Sequence, residues 1–195
     1  MLRRAVLFSM LVVTAAACSR NEPPQDPVPP TLPDTAGEGA RRAAEQARQD
    51  SIRRAEEEER LRREREEAET ARARATLEEM IFFDYDESEL RPDAQETLAR
   101  KVTVLRANPN VTLRITGHAD ERGSIEYNLA LGLRRANAVK DYLAGFGIAE
   151  GRFTTETMGE DRPLDPGSNE SAWARNRRGE FTITAGGERL VSSGS

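Results

Sequence analysis

Two residues that occur once each in the chain limit its chemistry. The only cysteine, Cys18, excludes an intramolecular disulfide and any multi-cysteine metal site. The only histidine, His118, lies two positions before Asp120, a pairing that could serve acid–base or metal chemistry. Catalysis would also need a nucleophile, a second base or further ligands, and the sequence brings none to this segment. We therefore predict no enzyme, no metal and no cofactor, and interpret His118 as a packing or hydrogen-bonding residue.

Cys18 closes a predicted export signal. Arg3 and Arg4 precede a short apolar run, residues 5–13, which is too short to cross a hydrocarbon core about 30 Å thick. Three alanines stand directly before Cys18, so residues 1–17 are predicted to be a signal peptide cleaved before the cysteine. The pattern is similar to bacterial lipoprotein signals, although these usually carry Leu where this chain has Ala15. Plain secretion after an Ala-x-Ala site and a buried thiol are the alternatives.

The resemblance to lipoprotein signals implies acyl chains on Cys18. Each buried methylene of such a chain contributes about 0.8 kcal/mol, so several chains would anchor the protein without a transmembrane helix. The second mature residue is Ser19 and not Asp, which by the same resemblance favours the outer membrane. We predict a lipid-anchored protein that faces the periplasm.

The charge of the chain argues against a nucleic-acid partner. The formal net charge is -5 at pH 7, and most arginines alternate with glutamates, so the concentrated basic field that phosphate binding needs is missing. Large apolar residues cluster near the start of the chain and beyond residue 77. The 195 residues are therefore predicted to hold one domain with extensions, not a single core.

Two solvated segments are predicted before the domain. Six prolines between residues 23 and 33 favour an extended spacer, so residues 18–37 are predicted to be a disordered linker. Residues 38–76 are almost wholly Glu, Arg, Ala and Gln, with opposite charges at helical spacing, as in Glu59 and Arg63. We predict a long charged helix there. Ile52 and Leu61 are its only large apolar residues, which favours a single helix over a coiled coil.

Residues 77–186 are predicted to form one α+β domain, an α/β sandwich. Patterns of β-forming residues predict strands at 80–85, 111–117, 153–158 and 180–184. Helices are predicted from Pro92 to before Asn108, from an N-cap at Ser124 to about Gly145, and at 172–178. This order indicates a mixed sheet of about four strands covered by helices. The Gly- and Ser-rich residues 187–195 are predicted to be a flexible tail.

The stretch from Thr116 to Lys140, TGHADERGSIEYNLALGLRRANAVK, resembles the signature of the OmpA-like peptidoglycan-binding domain family. The opening strand and turn, 81–92, and the closing segment 176–178 agree with the family in order and spacing, so the resemblance covers about residues 78–185. Within the family the chain is most similar to the peptidoglycan-associated lipoproteins of the Tol-Pal system. Gly132 departs from the pattern, since many relatives have Ser there. Glycine weakens a helix by up to about 1 kcal/mol, so the departure bears on stability more than on binding.

The resemblance implies that the ligand is the meso-diaminopimelate of the peptidoglycan stem, which presents an ammonium beside a carboxylate. By resemblance, Asp120 accepts the ammonium and Arg135 binds the carboxylate with its planar fork. Asn128 lies two helical turns before Arg135 on the same side of the helix, and is a candidate secondary contact or loop tether. Without the family motif, Asp120 and Arg135 would equally suit a loop cap and a surface ion pair.

Three further residues are weaker candidates for the same groove. Asp84 follows the first predicted strand and is expected near the rim. Of the pair Arg177 and Arg178, one is expected to line the groove and the other to face solvent.

The family implies a tether. Through Cys18 the protein would be held in the outer membrane, and through its domain it would bind peptidoglycan non-covalently, serving envelope integrity and cell division as part of the Tol-Pal system. One alternative is a protein-interaction module that docks a Tol-system periplasmic partner. Another is an OmpA-like paralogue outside Tol-Pal.

Overall fold

The computed structural model describes residues 35–192. The predicted signal peptide, Cys18 and the proline-rich spacer as far as residue 34 lie outside the described residues. The chain separates into two compact units, one up to Arg48 and one from Gln49 onward. No helix within residues 35–192 combines the length and the apolar character that crossing a membrane requires.

The predicted charged helix is present as α1, Thr35–Glu78. It begins three residues before the predicted start, inside the segment assigned to the linker. Within it, Arg63 Nε donates to Glu59 Oε1 at 2.9 Å, one turn apart, as the charge spacing predicts. Ile52 and Leu61 are both exposed, so neither is covered by any residue of the described range 35–192.

The last turns of α1 belong to the core of the second unit. Ala73 and Leu77, one helical turn apart, are fully buried there. The core therefore begins inside the segment that the sequence analysis assigned to the solvated helix, and not at residue 77.

Four strands form one mixed sheet. They are β1 (Ile81–Phe82), β2 (Thr112–His118), β3 (Phe153–Gly159) and β4 (Arg178–Ala185), in the spatial order β1-β4-β2-β3. β2 runs parallel to β3 and antiparallel to β4, and β1 runs antiparallel to β4. The mixed four-stranded sheet is confirmed, although β1 has two residues where a longer strand was predicted.

In the described residues, three α-helices follow α1, namely α2 (Pro92–Ala107), α3 (Ile125–Gly145) and α4 (Glu170–Asn176), and a single 3-10 turn, Glu150–Arg152, precedes β3. Ser124 caps α3 as predicted, since its Oγ accepts from the backbone N–H of Tyr127 at 3.2 Å. Asn169 caps α4 by accepting from Ala172 N at 3.1 Å, so this helix begins and ends two residues earlier than predicted.

The helices cover one face of the sheet. Leu113 and Ile115 of β2 point into this layer and are fully buried, as are Leu98 of α2 and Leu143 of α3. Alternation along β2 sends Arg114, Thr116 and His118 to the other face, which is polar. The sheet thus has an apolar covered face and a polar open face, which is exposed at Arg114 but buried at Thr116 and His118.

Residues 187–192, predicted to be part of a flexible tail, pack against the end of α1. Leu190 is buried in the core, and its backbone N–H and C=O bond to the hydroxyl of Thr70 at 3.2 and 3.3 Å. Arg74 Nη2 donates to the carbonyl of Gly187 at 2.7 Å. The Gly- and Ser-rich segment contains two apolar residues, Leu190 and Val191, and the buried one, Leu190, anchors it. Residues 193–195 lie outside the described part of the chain.

Candidate functional site

A pocket of about 110 Å³ lies at the carboxyl end of β2. It is enclosed by the loop after β1, the loop after β2 and the first three turns of α3. Its walls carry acidic, basic and aromatic side chains, from Tyr85, Asp86, Asp120, Arg122, Gly123, Tyr127, Asn128, Leu131 and Arg135. The two principal predicted ligand-binding residues, Asp120 and Arg135, therefore line the same cavity.

Arg135 is fully buried and forms part of the pocket wall. Its Nη1 donates to the carbonyl of His118 at 2.7 Å, its Nη2 to Asp84 at 3.0 Å and its Nε to Glu87 at 2.8 Å. These bonds join the loop after β1 to the end of β2. Burial, and secondarily the charge of Arg177, lowers the pKa of Arg135 to about 10, so the guanidinium stays charged at neutral pH.

Asp120 faces the same cavity with its carboxylate held by arginines. Arg122 donates from Nε to Oδ1 at 3.0 Å and from Nη2 to Oδ2 at 2.7 Å, and Arg177 Nη1 donates to Oδ2 at 3.2 Å. Burial opposes ionisation of Asp120, but these bonds outweigh it, and the pKa of the carboxyl lies below its ordinary value. Asp120 is therefore a buried anion at neutral pH.

Asn128 ties the loop after β2 to α3. Its Nδ2 lies 3.1 Å from the carbonyl oxygen of Asp120 and 3.2 Å from that of Arg122, and its side chain also bonds to Glu160. Of the two roles considered for Asn128, the geometry matches the loop tether. By donating to the backbone carbonyl of Asp120, Asn128 fixes the position of that residue and of its side chain.

Asp84 reaches the site through its backbone alone. Its carbonyl accepts from Arg135, whereas its carboxylate is exposed and lies 3.4 Å from Arg91. The acidic side chain that this loop adds to the pocket wall belongs to Asp86, which the sequence analysis did not select. Asp86 has a left-handed backbone, φ 58°, and accepts from the hydroxyl of Tyr127.

Arg177 and Arg178 point to different sides of the domain, but neither faces solvent. Arg177 stands behind Asp120 and also donates to the carbonyl of Phe83 at 3.1 Å and to Glu170 at 2.8 Å. Arg178 is buried beside the open sheet face, where it donates to Glu180 at 2.7 Å. The expectation that one of the pair is solvent-facing is wrong, because Glu180 and the carbonyl of Arg162 bind the guanidinium of Arg178.

Arg122 is the site residue that sequence reasoning missed. Its guanidinium lies between two rings, 4.0 Å from the centroid of Tyr85 and 4.2 Å from that of Trp173, and 3.6 Å from Glu170. The local sequence signal for Arg122 as a site residue is its position two residues after Asp120 in a turn. Tyr85 lies in the loop after β1 and Trp173 lies in α4, both distant in sequence from Arg122, so the sequence did not predict these ring contacts.

The rim of the pocket carries exposed apolar surface. Tyr85 and Tyr127 line the pocket and are both exposed. His118, by contrast, is buried at the end of β2, with Nε2 3.5 Å from Glu180 on the open sheet face. Over residues 35–192 there is no cluster of three or more His, Cys, Asp or Glu side chains that could hold a metal ion.

Comparisons with known proteins agree with this architecture. The model of the OmpA family matches residues 82–177. The peptidoglycan-associated lipoprotein of Mesorhizobium japonicum is 46% identical over 107 residues, which are 55% of this chain and 64% of that protein. The matched region thus spans just under two thirds of the length of this curated relative.

Two solved structures share the fold. The crystal structure of the peptidoglycan-associated lipoprotein from Burkholderia pseudomallei is 34% identical with a TM-score of 0.52, covering 53% of this chain and 88% of that one. The C-terminal domain of Helicobacter pylori MotB has a TM-score of 0.51 at 17% identity, covering 55% of this chain and 84% of that one. The second likeness concerns the fold alone.

Proposed function

Because the chain belongs to the OmpA family, we propose that its domain binds peptidoglycan non-covalently through the diaminopimelate of the stem peptide. The observation that carries the proposal is the shared pocket of Asp120 and Arg135, one buried anion and one buried cation in a cavity of about 110 Å³. The free end of diaminopimelate is a zwitterion of the complementary kind. The relatives are named peptidoglycan-associated lipoproteins, and these names support the same ligand.

Arg135 is suited to receive the ligand carboxylate. A guanidinium has five N–H donors, and three of those on Arg135 bond to backbone carbonyls within the described residues. The two that remain can bind a carboxylate in the wall of a desolvated pocket, where charge-assisted hydrogen bonds are strong. The carbonyls hold the guanidinium in place, so little side-chain entropy is lost on binding.

The first test is binding to purified sacculi. We expect Arg135→Lys and Asp120→Asn each to reduce pull-down strongly, and Arg114→Lys on the open sheet face to leave it unchanged. Circular dichroism and the urea midpoint of each variant separate lost binding from lost folding, which matters because Arg135 also joins two loops. Folded variants of Asp120 and Arg135 that bind sacculi as the unaltered protein does would refute the proposal.

A second test alters the ligand. A stem peptide with lysine in place of diaminopimelate keeps the ammonium but lacks the terminal carboxylate. Leaving one partner of a buried charge pair unmatched costs about 2 kcal/mol or more, so we expect at least about 30-fold weaker binding of the lysine peptide by calorimetry. Equal affinity for the two peptides would exclude Arg135 as the carboxylate receptor.

We also propose that acylated Cys18 anchors the protein in the outer membrane, facing the periplasm, so that the chain tethers the membrane to the wall. The support is the signal pattern of residues 1–18 and the lipoprotein names of the relatives. Cells labelled with radioactive palmitate should yield labelled protein in the outer-membrane fraction, and Cys18→Ala should abolish the label. A labelled Cys18→Ala protein would contradict this anchor.

A Tol-system periplasmic protein is the second partner we propose, in a role in envelope integrity and cell division. The observation that favours it is the exposed aromatic rim of the pocket, formed by Tyr85 and Tyr127, since exposed apolar patches mark interaction sites. Because the rim surrounds the pocket, stem peptide and protein partner should compete. Independent binding of the two would place the partner elsewhere or assign the chain to a paralogue outside Tol-Pal.

We propose that the protein does not cleave the wall. Of the described residues, those that line the pocket hold buried charges in hydrogen bonds and do not place a nucleophile beside a base. Incubation of sacculi with the protein should release no muropeptides, and released fragments would reverse this conclusion.

A further inference from the structure

We infer that Arg122 is an internal competitor for the ammonium subsite on Asp120, and that the ligand ammonium binds by displacing it. The inference rests on the proposed function and adds a specificity device to the same pocket. It follows from the contacts of the carboxylate, since Arg122 bonds to both oxygens of Asp120.

The carboxylate of Asp120 has no capacity left for another donor. Two side-chain N–H groups of Arg122, the backbone N–H of the same residue at 3.1 Å and Nη1 of Arg177 all donate to it. A carboxylate offers about four lone-pair sites. A ligand ammonium can therefore reach Asp120 only when one of these donors leaves.

Arg122 is the donor that can leave. The side chain of Arg177 is 7% exposed and is also bound to Glu170 and to the carbonyl of Phe83, so its removal would disrupt the interior. The side chain of Arg122 is 28% exposed, at the mouth of the pocket. Glu170 lies 3.6 Å from its Nη1 and offers an alternative partner after displacement.

Because Arg122 occupies Asp120, only a ligand group that binds the carboxylate strongly enough to replace Arg122 can bind there. A neutral amide or hydroxyl cannot replace a charged, two-pronged ion pair, so it gains nothing from Asp120. A ligand that carries an ammonium replaces the lost charge, and if it also carries a carboxylate it gains the contacts of Arg135. The competitor therefore selects for the zwitterion against uncharged parts of the wall.

The test measures the affinity of Arg122→Gln for a stem peptide with free diaminopimelate. Exposed to part-buried ion pairs contribute modestly, so removing the competitor should tighten binding about two- to fivefold. The same peptide acetylated on the terminal amino group should gain nothing from the substitution. Arg114→Gln is the matched control and should leave both affinities unchanged.

The outcomes separate the two proposals. An unchanged or weaker affinity of Arg122→Gln for the free peptide would overturn the displacement, and a weaker one would make Arg122 a direct ligand contact. If Asp120→Asn binds the peptide as the unaltered protein does, the proposed function itself fails, whatever Arg122 does.

Trp173 provides an independent readout, since it is the only tryptophan of the chain and lies 4.2 Å from the Arg122 guanidinium. Saturation with stem peptide should change its fluorescence emission in the unaltered protein. In Arg122→Gln, which still binds, most of that change should be lost. Constant emission of the unaltered protein at saturation would show that Arg122 stays in place.

Discussion

Gly117 of β2 and Gly132 of α3 touch backbone to backbone. A Cβ atom on Gly117 would lie 1.8 Å from the carbonyl oxygen of Gly132, and one on Gly132 would lie 2.4 Å from Thr157 Oγ1. The glycine at 132 costs helix propensity, as expected, but it also allows α3 to lie directly on the sheet. The close approach also brings the two site residues together, because Asp120 lies three residues after Gly117 and Arg135 lies three residues after Gly132.

Gly117→Ala should destabilise the protein. The new methyl group meets main-chain atoms that cannot rotate away, so the strand and the helix must separate, at a cost of about 1–3 kcal/mol or more. Urea unfolding measures the loss. Gly145→Ala is the matched control at the last residue of α3, where nothing lies within 4 Å, and it should be neutral or stabilising. Equal effects at the two positions would contradict the close approach.

Lys101 holds the end of α1 and makes stability depend on pH. Its Nζ is buried, lies 2.8, 2.8 and 2.6 Å from the carbonyls of Thr76, Leu77 and Glu79, and sits 4.0 Å from the ring centroid of Phe181. Burial lowers the pKa of Lys101 to about 7. The unfolded chain keeps this proton up to a pKa of about 10.4. Between these values the unfolded state binds more protons, so stability should rise with pH.

The free energy of unfolding at pH 6.5, 8 and 9.5 tests this sign. In Lys101→Met, the increase of the unfolding free energy with pH that the lysine causes should vanish. Lys140, the other lysine of the chain, lies 3.5 Å from Glu150 near the surface, and Lys140→Met should retain the rise. The same pH slope in both variants would show that Lys101 titrates normally.

Leu190→Ala should loosen the last turns of α1. Truncation of a buried leucine costs about 2–5 kcal/mol, and this one fills the space beside Thr70. Hydrogen exchange should accelerate in residues 70–77 and in the C-terminal segment, while the pocket keeps its affinity for stem peptide. The neighbouring Val191→Ala changes an exposed side chain and should have little effect. If residues 70–77 exchange as slowly in Leu190→Ala as in the unaltered protein, the C-terminal segment does not stabilise the end of α1.

Periodicity predicted most of the fold. The apolar stripe of α2, the alternation of β2 and the cap at Ser124 are local patterns, and the structure has each of them. The anchoring of Leu190 escaped prediction because it depends on a contact 120 residues away in sequence. Lys101 escaped it for a similar reason, since its partners are main-chain carbonyls, which carry no sequence signal.

The family signature found the residues that meet in the pocket, but not their state. Asp120 and Arg135 were selected by motif, and the structure brings them to one cavity. That the Asp120 carboxylate already has donors depends on Arg122, whose guanidinium contacts Tyr85 in the loop after β1 and Trp173 in α4. Occupancy is a property of three-dimensional packing, so spacing along the chain could not reveal it.

The contacts between α1 and the C-terminal segment have a mechanical consequence. The pocket lies only a few residues beyond the end of α1, because Tyr85 and Asp86 line it and Arg135 bonds to the carbonyls of Asp84 and Glu87. If the pocket holds the wall, tension that enters through residues 70–78 would reach it along residues 79–87. The bonds of Thr70 and Arg74 to residues 187–190 would pass part of that load to the C-terminal segment, and so to β4, before it reaches the ligand.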